Sequence, residues 1–526
     1  MKLRTDTLLT LLSAIVCAMA FLWDFLAWLV FFSLVPFLYV LYRNHLHTRH
    51  LFRYSMLFAA VFHLLAMSWI LKLYPMTFLG YNEIQSLVVI AGWLLFAGLL
   101  AFRMLILPFG LLCFKQDGFK RVLFTGVCWM GYEWLAELGF FGFPWFRLAL
   151  PMANLPLIRQ FAGIGGSIGI SFVLVLINAG LAECWLQYRE NRKKALGSGM
   201  IAVCSCFLLL IAGWQQIYRP QEIKQSNTLE YQLNSSKIAV IQGNISTMDK
   251  WKEDEEYALF DFYMSESEKA IQQGAKWIIW PETAIPIALN EYPEMYQTLQ
   301  ETALQRQVHF IVGSFERNEY RLHNALYAFP MKQVYHKQHL VPFGEALPNW
   351  MLYALPFLQD FQLANRIDAG TTNVLLSDQR VKIGSLICFE SIFADLTRKQ
   401  IVDGANVLLI ATNDAWYQHS SEITQHKNHA ILRAVESNRY VIRAANTGIS
   451  MIIDPRGTVV QQLPEDEQGI LYGQIELHEK ETFYHQFPYL IHGICAGLLI
   501  WLRQSLQLER IKKLLTFMKF RMFHCL

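Results

Sequence analysis

The run Val381-Lys382-Ile383-Gly384-Ser385-Leu386-Ile387-Cys388-Phe389-Glu390-Ser391 is an apolar strand that ends on a cysteine and passes at once into polar residues. Cys388 is the only cysteine between Cys206 and Cys495. No intramolecular disulfide can form inside that region, so the thiol is either a buried filler or a nucleophile. The strand has neighbours of the same kind at 237–242, 276–280, 308–313, 406–411 and 440–445, and amphipathic stretches at 254–273, 293–306, 391–403 and 421–438 lie among them. Short, continuously apolar strands alternating with helices predict an α/β arrangement of sheets covered by helices. In such folds the working side chains collect where strands end and loops begin.

Outward from this region the chain becomes far more apolar. Of 526 residues 54% are hydrophobic and only 17% charged, and the mean hydropathy is +0.26; a purely soluble protein is excluded. A bilayer requires roughly 20 apolar residues per helix. Apolar runs at about 8–23, 25–42, 54–72, 86–107, 121–139, 166–186, 198–217 and 487–504 predict eight spans. Residues 1–23, with Lys2 and Arg4 ahead of an apolar run, also resemble a signal peptide, but the run enters a second span without a cleavage site. The expected organisation is a helical membrane domain over 1–218, an α/β domain over 219–486 and an eighth span with a basic tail over 487–526, with a boundary near Tyr218-Arg219-Pro220.

Cytoplasmic loops hold the excess of Lys and Arg. Lys2 and Arg4, then Arg43, Arg49 and Arg53, then Lys115, Lys120 and Arg121, then Arg189 to Lys194, and finally the tail from Arg503 to Arg521 all fall on one side of the expected spans. The alternate loops hold Asp24, the stretch Lys72 to Glu83 and the aromatic segment 139–145, with few cations. Both termini are therefore expected in the cytoplasm and the α/β domain outside it, in the periplasm if the chain is bacterial. An unpaired thiol is disfavoured in an oxidising compartment unless it works, which favours Cys388 as a nucleophile.

Two more strand ends carry ionisable groups. Trp280-Pro281-Glu282-Thr283 sets a carboxylate among apolar residues, a setting that suits a general base but also fits a turn acid or a helix cap. Lys337 precedes Leu340-Val341-Pro342-Phe343-Gly344-Glu345. Its ammonium is either an oxyanion stabiliser in a pocket or a solvated group on an edge strand, and Glu345 either holds it or is a surface acid. Base, cation and thiol together are the parts of acyl transfer through a thioester.

This ordered set resembles the nitrilase, or carbon–nitrogen hydrolase, superfamily and its Glu-Lys-Cys triad. With an outward domain inserted before the last of eight spans, the chain is similar to the apolipoprotein N-acyltransferase family within it. The motifs that carry the similarity are Gly142-Phe143-Pro144-Trp145, Gln242-Gly243-Asn244-Ile245, Trp280 to Thr283, Leu340 to Glu345, Ile387 to Glu390, Asn413-Asp414-Ala415-Trp416, Gln425-His426 and Asn446-Thr447-Gly448-Ile449. The resemblance implies an αββα sandwich on a membrane bundle, with Glu282 as general base, Lys337 as oxyanion stabiliser and Cys388 as nucleophile. It further implies that Glu345 positions the lysine, that Glu390, Trp251 and Trp416 lie near the site, and that the Phe389 N–H is a second oxyanion donor.

The implied reaction moves an acyl chain from the sn-1 position of a membrane phospholipid, through a cysteine thioester, to the N-terminal amine of diacylglyceryl-cysteine in an apolipoprotein. It implies no cofactor, no metal and no nucleic-acid partner, and a monomer in the bacterial inner membrane. The alternatives are a membrane-tethered amidase that passes its thioester to water and an inactive membrane receptor. The chain departs from the family's pattern at Phe389, where Tyr is common, and over 417–424, where Phe-Gly and a Gly-Pro precede Gln-His. Both departures bear on acyl-chain and headgroup preference more than on the triad. His426 and His429, with His419 nearby, have a helical spacing that could hold a metal, but no partner at ligand spacing completes a site. The cluster Gly163 to Gly169 is read as a close helix contact.

Overall fold

The computed structural model describes residues 2–75, 82–114, 116–218, 235–252, 255–347, 349–354, 367–417 and 419–504. Arg219 and Pro220 of the expected boundary, Lys115, the expected tail beyond 504 and one residue of the 417–424 loop lie outside them.

Among the described residues five helices are long and apolar enough to cross a membrane: Leu3–Leu22, Asp24–Arg43, Ser86–Cys113, Ala162–Gln187 and Arg192–Tyr218. The other three expected spans fall on helices Thr48–Ala66 and Phe119–Glu137 and on the shorter Leu490–Gln504. Ala162–Gln187 is the central helix, packed against Arg192–Tyr218, Phe119–Glu137 and Val35–Arg43. It leaves helical geometry at Gly166, where φ is 70° and a Cβ would lie 2.5 Å from the Tyr484 ring. The glycine cluster does permit close approach, and what approaches is the α/β domain.

Among the described residues that domain holds two six-stranded sheets. The first contains β1 (Ser235–Gln242), β2 (Trp277–Ile279), β3 (His309–Asn318), β4 (Arg321–Phe329), β5 (Gln333–His336) and β12 (Gly469–Glu476), in the order β12-β1-β2-β3-β4-β5. The second contains β6 (Leu376–Ser377), β7 (Lys382–Ile387), β8 (Val407–Thr412), β9 (Val441–Ala445), β10 (Met451–Ile453) and β11 (Val459–Gln462), in the order β11-β10-β9-β8-β7-β6. In each sheet three parallel strands form the centre, β1 to β3 in one and β7 to β9 in the other, and antiparallel strands flank them.

Successive side chains on a strand point to opposite faces, and the core divides accordingly. Ile238 and Val240 of β1 meet Ile383, Ile387, Leu409 and Ile442 between the sheets, whereas Ala239 and Ile241 pack outward under helices Glu256–Gln272 and Pro293–Arg306. On the second sheet Leu386, Leu408 and Ile410 face outward into a core that runs without a break into the membrane helices. The result is an αββα sandwich, one helical layer of which is seated on the bundle. Helix Ser421–Ser437 forms that seat: Ser420 caps its start by accepting from the Glu422 N–H, Asn438 ends it in the left-handed region, and it is buried on nearly every side.

Candidate active site

The three strand ends singled out in the sequence lie on one rim of the sandwich. After β2, the Pro281–Thr283 turn crosses so close to β3 that a Cβ on Gly313 would lie 2.0 Å from the Pro281 carbonyl oxygen; only glycine fits. Glu282 is buried at this turn. Lys337 directly follows β5 and is 1% exposed. Its Nζ donates to Glu282 Oε1 at 3.1 Å and to Glu345 Oε1 at 2.8 Å. Burial opposes the lysine's charge, yet Glu282, then Glu345 and Cys388, hold it above the ordinary lysine value. Lys337 is thus a fixed, desolvated cation, and Glu345, whose other oxygen accepts from the Val341 N–H at 2.8 Å, is its anchor and not a surface acid.

Cys388 leaves β7 with φ at 52°. A left-handed conformation at a residue with a Cβ costs about 1–3 kcal/mol and persists only where neighbours impose it. Here they act from both sides. Glu390 accepts from the Ile387 N–H at 2.7 Å, while on the far side His426 Nε2 lies 3.1 Å from the Cys388 carbonyl. Burial, then the Glu282 carboxylate, push the thiol well above its usual value against the pull of Lys337. A thiol in this setting rests protonated and needs a base.

Glu390 does more than the sequence indicated. It is fully buried and also accepts from the N–H groups of Gln338 (2.6 Å) and His339 (3.1 Å) and from the Tyr335 hydroxyl (2.9 Å). One carboxylate therefore ties the Cys388 turn to the strand that carries Lys337. Burial raises it to about 7 even though these donors favour its charge. Phe389 is buried with its ring 5.8 Å from Phe143 and 5.3 Å from Phe393. Trp251 is 46% exposed, its ring 6.2 Å from Phe315. Trp416 sits in the short turn Ala415–Tyr417 after β8, and the neighbouring Tyr417 ring meets Trp69 edge-on at 4.8 Å.

Two residues escaped the sequence reading. Asn324 Nδ2 donates to Glu282 Oε1 at 2.8 Å; it follows Arg321-Leu322-His323 in the mixed-polarity start of β4, where nothing set it apart. Lys250 is 2% exposed, and its Nζ donates to the Glu282 carbonyl (3.1 Å) and the Thr283 hydroxyl (2.9 Å). Burial lowers Lys250 to about 7, with Glu282 opposing. Nothing in the sequence around Lys250 marked it.

His426 and His429 do not converge. His429 Nε2 meets the Trp145 carbonyl at 3.2 Å, whereas His426 joins Asp414 and Glu422 in a buried cluster. Arg443 adds a guanidinium to that cluster, with Nη2 2.6 Å from Asp414 Oδ2 and 3.2 Å from His426 Nδ1.

A thiol, a carboxylate and a fixed cation paired with that carboxylate are the parts needed to form and break an acyl thioester. Comparison with known proteins agrees with this chemistry. Residues 237–483 match the carbon-nitrogen hydrolase family, and residues 13–180 match the apolipoprotein N-acyltransferase N-terminal domain. The apolipoprotein N-acyltransferase of Gloeobacter violaceus is 29% identical over 468 residues, 88% of this chain and 86% of that one. That of Geobacter metallireducens is 30% identical over 396 residues, 73% of this chain and 74% of that one. That of Nitrosomonas europaea is 32% identical over 383 residues, 71% of this chain and 72% of that one. With two relatives at 30% identity or more over more than two thirds of its length, the chain belongs to the apolipoprotein N-acyltransferase family.

Proposed function

We propose that this chain transfers an acyl chain from the sn-1 position of a membrane phospholipid to the N-terminal amine of diacylglyceryl-cysteine in apolipoproteins, with Cys388 as the acyl carrier. The observation that carries the reading is Lys337, buried between Glu282 and Glu345 and electrostatically coupled to Cys388. In the first half Glu282 takes the Cys388 proton and the sulfur attacks the ester carbon. Lys337 and the Phe389 N–H stabilise the oxyanion. The C–O bond breaks, and the lysophospholipid leaves with the proton from Glu282. In the second half the α-amine attacks the thioester carbon, Glu282 accepts the amine proton, the C–S bond breaks and the thiol is restored. Electrons and protons balance without a metal or cofactor.

The protein is a membrane protein, and the proposed topology is eight spans in the bacterial inner membrane with both termini cytoplasmic, residues 219–486 as the periplasmic catalytic domain, and a monomer as the working unit. Support comes from which loops meet the sandwich. Asp24, Trp69 and Trp145, from the cation-poor side, contact helix Ser421–Ser437. The cation-rich ends pair among themselves, as in Arg121–Glu183 and Lys194–Asp117, each at 2.6 Å.

The test is to incubate the purified protein with phospholipid and follow the Cys388 peptide by mass spectrometry, before and after a diacylated lipopeptide is added. An acyl adduct that lipopeptide discharges faster than water, and that Cys388→Ala lacks, is expected. Lack of an adduct, or discharge by water at the same rate, would overturn the reading.

A further inference from the structure

The adjacent residues Gln425 and His426 of helix Ser421–Ser437 take different hydrogen-bond partners, one set in the bundle and one at the site. Gln425 is fully buried and spends its whole hydrogen-bonding capacity on the bundle. Its Oε1 accepts from the indole N–H groups of Trp145 (2.7 Å) and Trp69 (3.2 Å), and its Nε2 donates to the carbonyls of Phe21 and Ala66, both at 3.2 Å. Those partners come from four separate segments: two helix ends, a 3-10 turn and the Pro144–Phe146 turn. A buried polar group satisfied on every side admits one arrangement of the elements it joins.

His426 faces the site. Its Nε2 lies 3.1 Å from the Cys388 carbonyl and 2.9 Å from the Ser391 hydroxyl, and its Nδ1 lies 3.1 Å from Asp414. A carbonyl only accepts, so in the tautomer with the proton on Nε2 that nitrogen donates to Cys388, and Nδ1 accepts from Arg443 Nη2 at 3.2 Å. That bond falls on the residue whose left-handed backbone aims the sulfur. A second path runs parallel to it: the Trp145 ring stacks on Phe143 at 5.5 Å, and Phe143 lies against Phe389, the residue after the cysteine.

We propose that Gln425 and His426 are positioning residues that clamp the Cys388 turn to the membrane bundle, so that the bundle sets the attacking geometry of the nucleophile as well as anchoring the domain. The inference rests on Cys388 being the acyl carrier. A lipid-facing bundle and a catalytic turn joined through two neighbouring side chains form one rigid unit, and loosening the bundle's grip loosens the sulfur.

The test uses the full chain in detergent with phosphatidylethanolamine and reads the rate of acyl-adduct formation at Cys388. Wild-type protein must form the adduct; if it does not, the functional reading fails before this one is reached. Gln425→Leu is expected to slow adduct formation about tenfold or more at saturating lipid, the scale of a lost buried hydrogen bond, and to leave the half-saturating lipid concentration unchanged. The pair at 426 separates positioning from packing. Gln places an amide N–H where Nε2 was, whereas Asn reaches only the Nδ1 position, so His426→Gln is expected to react at least tenfold faster than His426→Asn at similar melting temperatures. Equal rates for the pair would overturn the proposal, as would a Gln425→Leu protein that is folded and reacts at the wild-type rate. Should Gln425→Leu fail to fold, the pair at 426 decides alone.

Discussion

Glu390→Gln separates what the Glu390 carboxylate does for stability from what it does for the reaction. The wild-type side chain accepts from three backbone N–H groups and one phenol. An amide of the same shape has one acceptor oxygen, so whichever way it turns at least one buried N–H loses its partner, at a cost of about 1–3 kcal/mol. The pH dependence works the other way. Burial raises Glu390 from 4.5 to about 7 in the folded protein, so between those values the folded state binds more protons than the unfolded state. The contribution to stability is full below the unfolded value of 4.5 and is lost as pH rises through 7. The difference between the two values is worth about 3 kcal/mol. The wild type's advantage in melting temperature over Glu390→Gln should therefore be largest below pH 4.5 and shrink toward pH 8, because the variant has nothing to titrate. The rate behaves differently. With the clamp between the Cys388 turn and the Lys337 strand released, a displacement of about 1 Å costs about 100-fold, and the variant should stay slow at every pH. Adduct formation within threefold of wild type, or a melting-temperature gap that does not change with pH, would refute this reasoning.

Other substitutions test the rest of the site. Lys337→Met leaves Glu282 and Glu345 buried without their cation and should lower the melting temperature as well as abolish the adduct, since breaking a buried ion pair costs about 3–5 kcal/mol. Lys250, lowered to about 7 in the folded state, binds fewer protons there than in the unfolded chain between 7 and 10.5. Stability should thus rise with pH across that window in the wild type and not in Lys250→Met, as melting curves at pH 7 and pH 10 will show. Asp24→Ala removes the 2.9 Å contact to Lys427 and the acceptor for Asn154 and Asn428. Because that pair is partly exposed, the loss should be no more than about 1 kcal/mol, and the melting temperature should barely move.

The strands legible in the sequence were β1, β2, β3, β7, β8 and β9, the six parallel ones. Each is buried on both faces over most of its length, between the sheets and under helices, and therefore reads as a mainly apolar run, with Arg443 of β9 the clearest break in it. The flanking antiparallel strands escaped because they are short, as β6 and β10 are, or carry mixed polarity, as in Arg321-Leu322-His323-Asn324 at the start of β4 and in β11. Glu282 and Cys388 could be picked out because each follows a run of that kind, and Lys337 because Leu340-Val341-Pro342 and the Phe343-Gly344 turn come soon after it. Lys250 and Asn324 could not, because a buried lysine in a short turn and a lone asparagine in a strand look locally like surface residues.

The sequence alone was enough to determine that an α/β sandwich follows a set of apolar helices, and that a thiol, a carboxylate and an ammonium sit at strand ends. Periodicity, composition and local motif are properties of neighbouring residues, and those statements need nothing more. Only the tertiary structure decided that Lys337 lies between two carboxylates, that Glu390 bridges two strand ends 50 residues apart in sequence, and that Gln425 is held by four segments of the bundle. Each of these depends on groups distant in the chain meeting in a water-free interior, where an unpaired polar atom is costly enough to select one arrangement.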